Sequence, residues 1–157
     1  MQTPVYKINV YKLSLVRDSS VVGQPNLMSP VTRSLDAASL LRTYLEGTDR
    51  EHFVVLLLNR KNKVIGINTV SMGSLTASVV HPREVFKPAI LANAAALICG
   101  HNHPSGDPAP SAEDRALTAR LVTAGQILGI QILDHVIIGD TTHYSFMDSG
   151  ALEALSA

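Results

Sequence analysis

A chain of 157 residues, 46% of them hydrophobic, has the size of one ordinary domain and enough apolar mass for a core. Its 13 basic and 13 acidic side chains cancel, which excludes a surface built by bulk charge to attract nucleic acid or an anionic membrane. A single cysteine excludes a disulfide framework and suits a reducing compartment, and the first residues lack the apolar stretch of a signal peptide or membrane span, so a soluble cytoplasmic protein is expected.

The β-branched and aromatic residues of Val5 to Val16 predict a strand, placed at a sheet edge because Lys7, Asn9 and Lys12 punctuate it. Asp18 to Pro30, with its Ser, Gly, Pro and Asn, reads as a loop. Ser34 is then expected to cap a helix in which Leu35, Ala38, Leu41 and Leu45 share the buried face and which Gly47 ends. Phe53 to Leu58 is apolar without alternation, as a strand buried on both faces should be; Asn59-Arg60-Lys61-Asn62 turns the chain into a second strand, Val64 to Val70. Val85, Phe86, Ala89 and Ile90 predict a helix over Pro82 to Asn93, and Ala95 to Cys99 a short strand closed by Gly100, with Cys99 as a small buried hydrophobe. A loop with Pro104, Pro108 and Pro110 leads to a helix from Ala112 to Leu128, stopped at Gly129, before a strand from Ile130 to Ile138. The result is a mixed α/β domain without repeats or an internal linker.

Chemistry concentrates between His101 and Asp114. On an extended backbone, side chains at i and i+2 leave the same side, so the imidazoles of His101 and His103 can reach one cation. Asp114 is the natural third ligand, since the loop brings its carboxylate back toward the strand end. Three protein ligands and an open position characterise catalytic zinc sites, whereas structural ones close with four. Ser111 and Asp114 also fit the Ser-x-x-Asp pattern that opens a helix. Asp107 reads as a loop former, His52 and His143 as surface or packing histidines, and Glu51 as an exposed charge at a strand start. Asp134 and His135 read either as a pair supporting the metal ligands or as structural residues of their strand.

The spacing His101-x-His103, seven residues, Ser111, two residues, Asp114 resembles the JAMM signature, in which a distant Glu comes first. Arg50-Glu51-x-Phe53, His81-Pro82-Arg83-Glu84, His101-Asn102-His103-Pro104-Ser105-Gly106-Asp107-Pro108 and Leu133-Asp134-His135 are similar, more closely, to the RadC group of JAB-domain proteins. The resemblance covers about two thirds of the chain, from Asp49 to its end. It implies a JAB/MPN domain over residues 49–157, with a central mixed sheet flanked by helices, similar in outline to the cytidine-deaminase fold. Residues 1–48 are expected to pack on that domain as a strand and a helix. This chain has Asn102 where the family's peptidases commonly carry Ser or Thr, and residues 1–48 show no helix-hairpin-helix region like that of longer RadC proteins.

The resemblance further implies one Zn2+ per chain on His101, His103 and Asp114, with water activated by the metal as nucleophile and Glu51 as general base. Ser111 would donate to the oxyanion, a task worth roughly 3 kcal/mol at comparable sites. The expected reaction is hydrolysis of a peptide or isopeptide bond in a peptide or protein substrate. A zinc deaminase is excluded, because its Pro-Cys-x-x-Cys signature needs more than one cysteine, and the tripeptide His-Asn-His is not the dispersed motif of an HNH nuclease. The alternative is a RadC-type DNA-repair-associated or non-catalytic metal-binding protein; with zero net charge its DNA association is expected to be weak and salt-dependent. No segment specifies a substrate or an oligomeric state.

Overall fold

The computed structural model describes residues 10–20, 29–73 and 80–156. In chain order these form α1 (Ser34–Leu45), β1 (His52–Leu58), β2 (Val64–Met72), α2 (Pro82–Leu91), β3 (Ala96–Asn102), α3 (Ala112–Leu128), β4 (Gln131–Ile138), β5 (His143–Ser145) and α4 (Ala151–Ser156). The five strands make one mixed sheet in the order β2-β1-β3-β4-β5, parallel only between β3 and β4. Helix α3 is the crossover between those two strands, as a parallel pair requires. The architecture is the mixed α+β sheet flanked by helices that the sequence implied.

The unbroken apolar run of β1 follows from its place between two cores. Phe53, Val55 and Leu57 point to one face, where Val85, Phe86 and Ala89 of α2 and Leu117, Leu121 and Val122 of α3 pack. Val54, Leu56 and Leu58 point to the other, covered by Ala37, Ala38, Leu40, Leu41 and Leu45 of α1. With both faces covered there is no solvent side to alternate toward. Arg42 of α1 reaches across to donate to the carbonyls of Gly139 (2.9 Å), Asp140 (2.9 Å) and Thr142 (2.6 Å), tying the β4–β5 turn to the helix. Among the described residues no helix is long and apolar enough to cross a membrane.

Four local expectations are corrected. Residues 5–9 of the expected N-terminal strand lie outside the described residues, as do 21–28 of the loop; residues 10–16 form no strand, and Val10 (96% exposed) and Leu13 (78%) find neither a ladder nor a core. β propensity without a partner edge does not make a strand. Ser34 is not the cap of α1: Asp36 performs that task, its carboxylate accepting from the N–H groups of Thr32 (3.1 Å) and Arg33 (3.0 Å). Leu35 is exposed, because the helix turns its Ala37, Ala38, Leu41 and Leu45 face inward. Gly100 does not close β3 but lies within it. A Cβ there would come within 2.5 Å of Leu41, so the glycine seats α1 against the sheet and lets the strand run on to His101.

The expected hairpin, α2 and α3 are all present, and Gly129 ends α3 in the left-handed conformation at φ +70°. His81 explains part of the His-Pro-Arg-Glu motif: its Nδ1 accepts from the Arg83 N–H at 3.2 Å, capping α2, while Pro82 takes the first helical position.

Candidate metal centre

Three elements end at one point. Antiparallel pairing sets Phe53 of β1 opposite His101 of β3, which leaves Glu51, two residues upstream, just beyond the ladder beside the strand end. Asp114 arrives from the first turn of α3. His101 Nε2 lies 3.3 Å from Asp114 Oδ1 and 3.8 Å from Glu51 Oε1, and His103 Nε2 lies 3.5 Å from Asp114 Oδ2. One donor atom from each of Glu51, His101, His103 and Asp114 falls within 4.8 Å of the others, a grouping that could hold a metal ion. His101 and Asp114 form the buried floor, at 0% and 3% side-chain exposure; His103 and Glu51, at 16% and 19%, form the rim.

The hydrogen bonds behind the ring nitrogens suit a cation. His103 Nδ1 sits 2.7 Å from the carbonyl oxygen of Asp107, which can only accept, so Nδ1 carries a proton and Nε2 is the nitrogen turned toward Asp114. His101 Nδ1 likewise points away from the cluster, toward His135 Nε2 at 2.8 Å. The two Nε2 atoms approach to 2.9 Å. Nitrogens at that separation can share one proton or one cation, and imidazole with carboxylate is a zinc-type donor set. Burial, and after it the neighbouring His103, hold His101 down to about 3, so it stays a neutral donor.

This region carries the match to known proteins. The model of the RadC-like JAB domain matches residues 31–151. The chain belongs to the RadC-like JAB domain family. A UPF0758 protein of Rubrobacter xylanophilus is 51% identical over 143 residues, covering 89% of this chain and 61% of its own. UPF0758 proteins of Desulfitobacterium hafniense (50% over 133 residues, 85% and 59%) and Desulforamulus reducens (54% over 117 residues, 74% and 52%) are similar to it as well. The chain thus spans between about half and three fifths of the length of these relatives.

Within the JAB domain, Ser111 does two things at once. Its hydroxyl accepts from the Asp114 N–H (3.1 Å) and donates to Asp114 Oδ2 (2.8 Å), which also accepts from the Ser111 N–H (2.8 Å). The capping box therefore fixes the carboxylate that faces the histidines. Asp107 shapes the preceding loop, its carboxylate accepting from the Ala109 N–H at 2.9 Å.

Sequence reasoning assigned no role to Asn102 or Thr118 and left His135 between two readings. Asn102, between the histidines, turns away from them: its Oδ1 accepts from the His52 N–H (2.8 Å) and its Nδ2 donates to the Arg50 carbonyl (3.0 Å), gripping the backbone on either side of Glu51. Thr118 lies one helical turn after Asp114, a spacing that was available as a signal. His135 does support His101, but not as a pair with Asp134. The Asp134 carboxylate instead accepts from Ser145 Oγ (2.6 Å) and the N–H groups of His135 (2.7 Å) and Met147 (3.0 Å), bracing β4 against the chain that follows β5. A further Ser-His-Asp grouping, Ser34 with His143 and Asp148, has the carboxylate on the serine and not on the imidazole, so it joins α1 to β5 and lacks the order of a proton relay.

Proposed function

We propose that the JAB domain is a zinc-dependent hydrolase of peptide or isopeptide bonds that acts on a peptide or protein substrate in the cytoplasm. The observation that carries this reading is the position of Glu51, a solvent-reached carboxylate at the rim of the two histidines and Asp114. A zinc ion held by His101, His103 and Asp114 supplies Lewis acidity, polarising an amide carbonyl and lowering the pKa of water toward about 7. Glu51 takes the proton that the attacking water releases and passes it to the leaving amine. Ser111, exposed at the start of α3, turns its O–H from Asp114 toward the developing oxyanion. Asn102 holds the Glu51 segment at the distance this transfer needs.

A second reading rests on the same distances. Glu51 belongs to the 4.8 Å group, and as a fourth protein ligand it would close the set as structural zinc sites are closed. The domain would then be a non-catalytic interaction protein or DNA-associated factor. Metal analysis together with hydrolysis of a mixed peptide and isopeptide library separates the two. The hydrolase reading expects about one zinc per chain and cleavage that chelation abolishes and zinc restores. Zinc-loaded, folded protein that cleaves no member of the library supports the closed site, and DNA binding with base-sequence selectivity at physiological salt would favour the DNA-associated factor.

A further inference from the structure

We propose that Thr118 and His135 set the tautomer of His101, and so decide whether its Nε2 presents a lone pair to a metal ion. This rests on the metal-binding part of the functional reading but not on hydrolysis.

The direction of each hydrogen bond follows from where the chain begins. Thr118 Oγ1 lies 2.6 Å from the carbonyl oxygen of Asp114, one turn back along α3. A carbonyl cannot donate, so the only hydroxyl proton is committed there. His135 Nδ1 lies 2.6 Å from the same Oγ1, which can now only accept, and the ring must carry its proton on Nδ1. A neutral imidazole with Nδ1–H offers a lone pair at Nε2. That lone pair faces His101 Nδ1 at 2.8 Å and accepts a proton from it, leaving His101 Nε2 bare on the side of Asp114 and His103.

Neutrality is enforced by the surroundings. Thr118, His101 and His135 are all 0% exposed. The His135 ring stacks on Phe146, 5.1 Å between centroids, and meets the edge of Phe53 at 5.4 Å, so an imidazolium there would lose its hydration, a cost that outweighs the attraction of the Asp114 carboxylate. The polar chain begins at the backbone of one proposed ligand, Asp114, and ends at the side chain of another, His101. Helix α3 and strands β4 and β3 thereby agree on a single proton arrangement, the task that carboxylates or backbone carbonyls perform for histidine ligands elsewhere.

The inference makes a demand on a residue whose hydroxyl bonds to the Asp114 backbone and to His135. In Thr118→Val the His135 Nδ1–H loses its acceptor, and His135 can adopt the Nε2–H tautomer. His101 must then accept at Nδ1 and hold its own proton on Nε2, where it blocks the metal. Zinc affinity, read by competition with a chelating dye, is expected to fall about 10- to 100-fold in Thr118→Val, the usual cost of losing such a partner. Thr118→Ser, which keeps the hydroxyl, retains the parent's affinity. Nitrogen-15 spectra of chelator-treated parent protein are expected to show His101 as the Nδ1–H tautomer. Parent-like zinc affinity in folded Thr118→Val overturns the proposal, as does equal weakening in Thr118→Ser, which would make the effect one of packing. Should Thr118→Val fail to fold, or the parent bind neither zinc nor cobalt and the metal reading fall with it, the parent's tautomer decides alone: Nδ1–H upholds the relay and Nε2–H overturns it.

Discussion

Asn102 accepts the backbone N–H of His52 on its side-chain oxygen at 2.8 Å, and so joins the end of β3 to the start of β1 where the ladder has run out. The amide completes the link by donating to the Arg50 carbonyl, and Glu51 is suspended between the two anchors. Asn102→Ala should leave zinc content unchanged, since neither imidazole depends on this side chain. Turnover of a cleaved substrate should drop by about 10²-fold, the scale of a misplacement near 1 Å. Asn102→Ser, too short to reach both anchors, should fall between. An alanine variant with parental turnover would show that Glu51 keeps its place unaided.

Glu51 and Asp114 separate chemistry from metal binding. Asp114→Ala removes a proposed ligand from the buried floor, and zinc and activity should disappear together. Glu51→Gln keeps the size of the side chain but cannot take a proton; zinc should stay while turnover drops by about 10²-fold or more. Paired metal analysis and initial rates check both. A zinc-loaded Glu51→Gln as fast as its parent sinks the general-base role, and one that has lost its zinc favours the closed four-ligand site.

Ser111→Ala removes the hydroxyl that caps α3 and steadies Asp114. About 1 kcal/mol of stability should go with the cap, measured by denaturant unfolding. Zinc is retained, and turnover falls by about 10²-fold if the hydroxyl also meets the oxyanion. A loss of stability with unchanged turnover assigns Ser111 to capping alone.

Acid should weaken the chelator-treated protein through its buried histidines. Burial holds His101 down from 6.5 to about 3, with His103 adding to it, and burial likewise pushes His135 well below 6.5. Between those limits the unfolded chain binds protons that the folded chain refuses. Stability is therefore complete above pH 6.5 and declines as pH falls toward 3, by up to about 1.4 kcal/mol per pH unit for each histidine. Thermal midpoints taken from neutral pH downward should show the decline; a flat profile would mean that these rings are already charged or hydrated in the fold.

At Gly100 the expectation is steric. An added methyl would stand 2.5 and 2.6 Å from the two terminal carbons of Leu41, itself 0% exposed. Gly100→Ala should cost about 1 to 3 kcal/mol as α1 is lifted from the sheet. The companion change Leu41→Ala in the same chain should restore part of that loss, because it empties the contested space. Unfolding of the single and double variants gives the coupling.

Residue order alone determined what nearest neighbours along the chain control. The apolar run Phe53 to Leu58, its polar turn, and the bounds of α3 between Ser111 and Gly129 were legible because caps, turns and periodicity act within one or two turns of backbone. His101, His103 and Asp114 were legible as ligand types at a recurring spacing, and Glu51 only through family resemblance. Tertiary structure decided what those local signals leave open. Ser34 has the chemistry of a cap yet bonds to His143 and Asp148, more than a hundred residues away, because Asp36 already serves the helix start. Residues 10–16 have the composition of a strand but join no sheet. The proton on His101 depends on His135, 34 positions on, and on Thr118, which lies 17 from His135. A tautomer is set by what stands across a hydrogen bond, and only the packing of α3 against β3 and β4 put those partners there.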